Sequence, residues 1–168
     1  RKRDVEPKVD NMLKITSEGR KAALDQRLIN PLLPDNPDSK VNACVQNVVD
    51  IYSKSTQEQS TQLVFCDLST PTNGSQIPMI EHEDGSLSVD KENYRFHNVY
   101  DDMKVKLMDK GIPAHEIAFI HDANNDKQKA ELFAKVRSGD VRVLIGSTSK
   151  MGAGTNVQTK LKALHHLD

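Results

Sequence analysis

Residues 141–156 decide the fold, and they read VRVLIGSTSKMGAGTN. The apolar first part, residues 141–145, is typical of a buried β-strand. The loop that follows is broken by glycines and rich in hydroxyl groups. Glycine lets backbone amides approach an anion closely, and short hydroxyl side chains add donors beside them. The stretch predicts a strand followed by a phosphate-compatible loop, although similar loops also occur in strand-to-helix turns that bind nothing.

Lys150 does not turn this loop into a Walker-type phosphate loop. That motif has a glycine directly before its lysine and a hydroxyl residue directly after it. Here Ser149 precedes Lys150 and Met151 follows it. Two interpretations of Lys150 therefore stay open, a contact with phosphate and a solvated surface position.

Two more apolar runs predict strands of the same sheet, residues 63–66 and 117–120. Helical patterns separate these strands, so the sequence predicts an α/β domain whose mostly parallel sheet has helices on both faces. Ligands bind such sheets beyond the carboxyl ends of the strands. The polar residues at those ends are Asp67, His121, Asp122, Ser147 and Thr148.

Four helices are predicted from apolar periodicity and from capping residues. The first covers residues 17–29, and the second begins at Asp38 or Ser39. The third ends before Gly111, and the fourth begins at Asn125 or Asp126 and ends at Gly139.

The chain divides into a helical lead-in with a linker, residues 1–37, and one α/β domain, residues 38–168. Residues 69–93 are too long and too polar for an ordinary loop after a strand, and we predict an insertion with a small hairpin around Gly85. A last strand is predicted over residues 163–168. Both chain ends are abrupt, which leads us to expect an excised fragment.

Composition narrows the class of protein. The 168 residues are 36% hydrophobic and 28% charged, with a formal net charge of -1, so we expect neither a membrane protein nor a strongly basic surface. Cys44 and Cys66 lack metal-ligand or redox spacing and lie in apolar runs. Reduced cysteines favour a cytoplasmic location.

The order of these parts resembles the second RecA-like domain of superfamily 2 helicases and translocases, especially the Swi/Snf-like branch. Residues 63–67 match motif IV of that family, and residues 147–157 match motif V. The chain is still more similar to large methylase-helicase fusion proteins of mobile elements and phages. The segments that carry this second similarity are residues 11–16 (NMLKIT), 19–25 (GRKAALD), 111–113 (GIP) and 117–122 (IAFIHD).

The resemblance implies roles for the loop. Ser147, Thr148 and Lys150 would contact nucleic acid, with the Thr148 hydroxyl on a phosphate. Asn156 would face the nucleotide ribose or relay between ATP and nucleic acid. Gly152 and Gly154 would keep the loop backbone close to both ligands.

The resemblance also implies what the complete enzyme contains. ATP and Mg would be bound mainly by a first RecA-like lobe of the same polypeptide, DNA would be the partner, and a fused DNA methylase domain is implied as well. The arginines of motif VI would follow residue 168, since no arginine follows Arg142. We expect the fragment alone to be inactive as an ATPase.

Two interpretations compete with this one. The chain could be a non-catalytic module that binds nucleic acid or protein, or a flavodoxin-like or receiver-like domain with Asp67 as an acidic site.

For Asp67 we favour a turn or capping role. For His121 and Asp122 we favour hydrogen bonds to local backbone groups. His165 and His166 alternate across a strand and cannot chelate one metal together, so no metal site is predicted.

Overall fold

The computed structural model describes residues 12–71, 74–152 and 156–168. Predictions that fall on Gly154 and on residues 1–11 lie outside these ranges. The helices are α1 (Met12–Leu24), α2 (Lys40–Lys54), α3 (Val99–Asp109), α4 (Asp126–Ser138) and α5 (Thr148–Met151). The strands are β1 (Thr61–Phe65), β2 (Met79–Glu81), β3 (Leu87–Val89), β4 (Ile117–Phe119), β5 (Val143–Gly146) and β6 (Leu161–His166).

The main sheet has four parallel strands in the order β4-β5-β1-β6. This arrangement confirms the predicted α/β fold with a parallel sheet. The remaining two strands, β2 and β3, form an antiparallel hairpin inside the predicted insertion. Gly85 lies in its turn with a φ of 77°, a left-handed conformation that glycine adopts without a steric penalty.

Helices cover both faces of the sheet, as predicted. Alternate residues of a strand point to opposite faces, so Val64 and Ile145 pack on α2 and α3 while Leu63 and Leu144 pack on the other side. That other side is covered by α4, which buries Val136. The two apolar layers hold the sheet between them and fix where each strand ends.

The predicted caps begin and end the helices. Ser39 accepts a hydrogen bond from the Asn42 amide at the start of α2, and Asn125 accepts one from the Gln128 amide at the start of α4. Gly139 ends α4 with a φ of 90°. Each cap satisfies backbone groups that have no partner inside the helix.

The prediction of one helix over residues 17–29 is wrong at both ends. Helix α1 begins earlier, at Met12, and a separate turn covers Gln26–Leu28. Asp25 interrupts the helix because it is extended, with a φ of -157°, and its carboxylate accepts a hydrogen bond from the Arg27 amide. The same carboxylate binds the Arg27 guanidinium at 2.7 Å.

Arg27 is the centre of a buried ion network. Its guanidinium also binds Asp102 of α3 at 2.7 Å and Asp35 at 3.1 Å, and Lys106 binds both of these carboxylates. Burial opposes ionisation of Asp25, yet the hydrogen bonds and charge of Arg27 outweigh it and hold the pKa of Asp25 below its ordinary value. The network links the segment before α2 to helix α3 through these ion pairs.

We expect Arg27→Met to destabilise the chain strongly, because it leaves the buried Asp25 carboxylate without its cation. Breaking a buried ion pair in this way costs about 3–5 kcal/mol. Arg20→Met is the matched control, since Arg20 is exposed on α1, and a surface change of this kind stays within about 0.5 kcal/mol. Urea unfolding of the two variants measures both effects, and equal free energies of unfolding would contradict the role of the network.

Candidate functional site

The site is the edge of the sheet at which the parallel strands end. Asp67 follows β1, His121 and Asp122 follow β4, and Ser147 follows β5. Because β1 and β5 pair in register, with Phe65 opposite Gly146, the residues after them meet. The prediction that these strand ends share one edge is confirmed.

The loop after β5 forms the single-turn helix α5. Ser147 is buried directly before it, and Met151 is buried at its end. Thr148, Ser149 and Lys150 lie between them and are exposed. The Ser147 and Ser149 hydroxyl oxygens are 3.1 Å apart, within hydrogen-bond distance. The turn therefore presents two exposed hydroxyl residues and one lysine in succession.

Close packing explains why two positions of the loop are glycine, which the sequence alone did not reveal. A Cβ at Gly146 would overlap the side chain of Ile120 and would lie 2.6 Å from the Met151 sulfur. A Cβ at Gly152 would lie 2.6 Å from the Thr148 carbonyl oxygen. Both positions exclude larger residues through close packing alone. The nucleotide-facing role predicted for Gly152 stays a prediction.

Two backbone amides at this edge already donate hydrogen bonds to carboxylates. The Thr148 amide donates to Asp67 Oδ1 at 2.8 Å, and the Asp67 amide donates to Asp168 Oδ1 at 2.8 Å. The predicted capping role of Asp67 is thereby confirmed. The Thr148 amide is engaged by this carboxylate and is not free for an external anion. The hydroxyls of Thr148 and Ser149 and the Lys150 ammonium belong to exposed residues of the same turn.

The interpretation of His121 and Asp122 as partners of local backbone groups is wrong for His121. The ring instead packs edge-on against Tyr100, with centroids 5.3 Å apart. Its Nδ1 is buried and has no hydrogen-bond partner in the described ranges. Burial, together with the nearby charge of Lys150, lowers the pKa of His121 below its ordinary 6.5. Burial raises the pKa of Asp122.

Asn156 lies outside α5 and contacts helix α4. It is exposed, and its backbone carbonyl accepts a hydrogen bond from Arg137 of α4 at 2.8 Å. Residues 153–155 between α5 and Asn156, with Gly154 among them, lie outside the described residues. The structure thus brings Ser147, Thr148 and Lys150 together on one turn, and the role of Asn156 stays a prediction.

One acidic group in the described ranges has the geometry of a metal site, namely Asp25, Asp35 and Asp102. Arg27 and Lys106 neutralise these carboxylates through the ion network. The cluster is therefore an ion-pair network of the fold. His165 contacts Gln62, whereas His166 stacks on Phe65 with ring centroids 4.7 Å apart, so the two histidines face opposite ways as predicted.

Comparisons with protein families, with curated proteins and with solved structures gave no match to this chain. Among the described residues, no helix has the length and apolar character needed to cross a bilayer.

We expect Gly146→Ala to destabilise the chain by about 1–3 kcal/mol, the range for overpacking a close-packed site. The added methyl group would push against Ile120 and Met151. Gly19→Ala is the matched control, because Gly19 lies on helix α1 and a Cβ added there meets nothing within 4 Å. That change should stabilise the helix by about 0.5–1 kcal/mol. Thermal unfolding distinguishes the two, and unchanged stability of Gly146→Ala would refute the packing argument.

Proposed function

We propose that this chain is the C-terminal RecA-like lobe of a cytoplasmic ATP-dependent DNA helicase or translocase. The observation that carries the proposal is the exposed turn of Thr148, Ser149 and Lys150 at the carboxyl edge of a parallel sheet. Parallel α/β sheets bind their ligands at this edge. The turn offers hydroxyl donors and a cation, which is the chemistry that holds a phosphate without reading a base.

The electrostatics of the turn predict weak binding. Lys150 is its one cation, while Asp67 places a carboxylate against the Thr148 amide. A negative charge so close opposes a polyanion and partly cancels the attraction of Lys150. Ser147 is buried and contributes mainly to the shape of the turn. A few phosphate contacts of this kind give affinity that depends strongly on salt.

In the proposed enzyme, ATP and Mg are held mainly by a first RecA-like lobe. Among the described residues, the acidic trio of Asp25, Asp35 and Asp102 has the geometry of a metal site, but Arg27 and Lys106 already neutralise it. This agrees with a Mg site in the other lobe. Gly152, Gly154 and Asn156 would approach the nucleotide from this lobe. A fused DNA methylase domain belongs to the same proposal. The chain alone is expected not to hydrolyse ATP.

A non-catalytic nucleic-acid-binding module is the second candidate. The engagement of Asp67 fits it as well, because the carboxylate bonds the Thr148 amide and stabilises the turn whether or not ATP is bound. Such a module would bind through the same hydroxyls and Lys150. DNA-stimulated ATPase activity of a longer polypeptide that includes the first lobe separates the two candidates, and Thr148→Ala and Asn156→Ala should each impair that activity.

Binding of a labelled single-stranded oligothymidylate to this chain tests the proposed contacts. We expect weak binding that weakens further as salt is raised. Lys150→Ala should lower the affinity and reduce the slope of log affinity against log salt by about 0.7, the value for one phosphate contact with a single strand. Lys54→Ala is the matched control, because Lys54 is exposed at the end of α2 near the opposite edge of the sheet.

Two results would contradict the proposed function. One is tight binding that is insensitive to salt, which phosphate contacts do not produce. The other is an equal effect of Lys150→Ala and Lys54→Ala, since that would place the nucleic acid elsewhere. Flavin binding, or phosphorylation of Asp67, would support the flavodoxin-like or receiver-like alternative.

A further inference from the structure

Two aromatic rings are stacked at the carboxyl edge of the sheet. The imidazole of His166, the last residue of β6, lies on the phenyl ring of Phe65 in β1, with ring centroids 4.7 Å apart and planes inclined by 6°. Phe65 is half-buried and packs against the apolar layer that α4 covers, whereas His166 is exposed. Since Phe65 covers one face of the imidazole, the exposed surface of the ring is on its other face and its edges. A flat aromatic surface is therefore open to solvent here.

The backbone around His166 holds this ring in place. Phe65 and His166 lie opposite each other in the parallel pairing of β1 with β6. The next residue, Leu167, is buried, and its amide donates to the Phe65 carbonyl oxygen at 3.0 Å. The Asp168 carboxylate then accepts a hydrogen bond from the Asp67 amide at 2.8 Å. Strand pairing and core packing thus fix the position of the ring before any ligand binds, which lowers the cost of binding one.

The stacked rings lie on the same face of the sheet as α5. Phe65 pairs with Gly146 on one side and with His166 on the other, so the three residues form one row across β5, β1 and β6. Side chains of such a row point to the same face. A Cβ at Gly146 would meet Met151 of α5, which places α5 on this face. Neighbouring strands are about 4.8 Å apart, so roughly 10 Å separate Gly146 from His166 along the row.

The chemistry of this surface suits a nucleobase. Leu164 precedes His166 by two residues, so it lies on the same face of β6, and it is 53% exposed. The imidazole and Leu164 present an apolar surface on the face that also carries the hydroxyls and the lysine of α5. Proteins that bind single strands combine these elements, a cation for the backbone and an aromatic ring on which a base stacks. A duplex offers no such base, since its bases are stacked on one another.

We propose that His166, supported by Phe65, is a stacking platform for one base of a single-stranded nucleic acid whose backbone contacts α5. The inference rests on the proposed function and narrows it, because it selects single strands over duplexes. The ring adds affinity without reading the sequence, since every base has an aromatic face. Stacking releases no counterions, so this part of the affinity does not depend on salt.

The test is fluorescence anisotropy of two labelled strands of equal length at low salt, where phosphate contacts bind most tightly. One strand is oligothymidylate, and the other carries abasic spacers in place of the bases, so both have the same phosphates. His166→Ala should weaken binding of oligothymidylate about five- to hundredfold, the range for one stacked base. It should leave binding of the abasic strand unchanged. The slope of log affinity against log salt should stay that of the wild-type chain, whereas Lys150→Ala reduces it.

Two further variants separate stacking from other effects. His166→Phe keeps a flat ring and removes the ring nitrogens, so it should bind oligothymidylate about as tightly as the wild-type chain. His115→Ala removes an exposed imidazole before β4, at the opposite edge of the sheet, and should not change binding. NMR of the wild-type chain gives a readout that needs no variant. The ring signals of His166 should shift with oligothymidylate, and the abasic strand should leave them in place.

The outcomes separate this inference from the proposed function. If His166→Ala binds oligothymidylate as tightly as the wild-type chain while Lys150→Ala weakens binding, the stacking role is overturned and the proposed function stands. The stacking role is also overturned if His166→Phe binds as weakly as His166→Ala, or if His166→Ala weakens binding of both strands equally. A wild-type dimer that His166→Ala dissociates in sedimentation would show that a second copy covers this face, and would overturn it too. If the wild-type chain binds neither strand, both proposals are overturned.

Discussion

Parallel pairing of β1 with β5 is the interaction on which the candidate site depends. Phe65 lies opposite Gly146, so the next residues of both strands leave the sheet side by side. The Asp67 carboxylate can then accept the Thr148 amide at 2.8 Å. A shift of one residue in this register would turn every side chain of the strand to the other face of the sheet. The geometry of α5 is thus set by strands buried on both faces rather than by the turn itself.

The second constraint is the close approach of the turn after β4 to α5. Ile120 and Met151 meet over Gly146, which has no room for a Cβ. This contact brings the turn that holds His121 against the helix that holds Lys150, although the two follow different strands. Residues that are distant in sequence therefore meet at this edge of the sheet, and its shape depends on the absence of a Cβ at Gly146.

The sequence predicted the fold well because its signals are local. Apolar runs predicted the strands around Val64 and Ile145, and capping residues such as Asn125 predicted the start of a helix. It failed where long-range contacts decide. The end of α1 depends on Asp25 binding Arg27, which is itself held by Asp102 of α3, 75 residues further along the chain. No local pattern contains that information.

The ion network around Arg27 also has an evolutionary consequence. Three carboxylates, those of Asp25, Asp35 and Asp102, share two cations, those of Arg27 and Lys106. Replacing either cation alone leaves buried negative charge behind, and replacing Asp102 alone removes two hydrogen bonds from the buried guanidinium. Single substitutions are therefore costly, whereas a concerted exchange for apolar residues of similar volume can be tolerated. We expect these positions to change together or not at all as the sequence diverges.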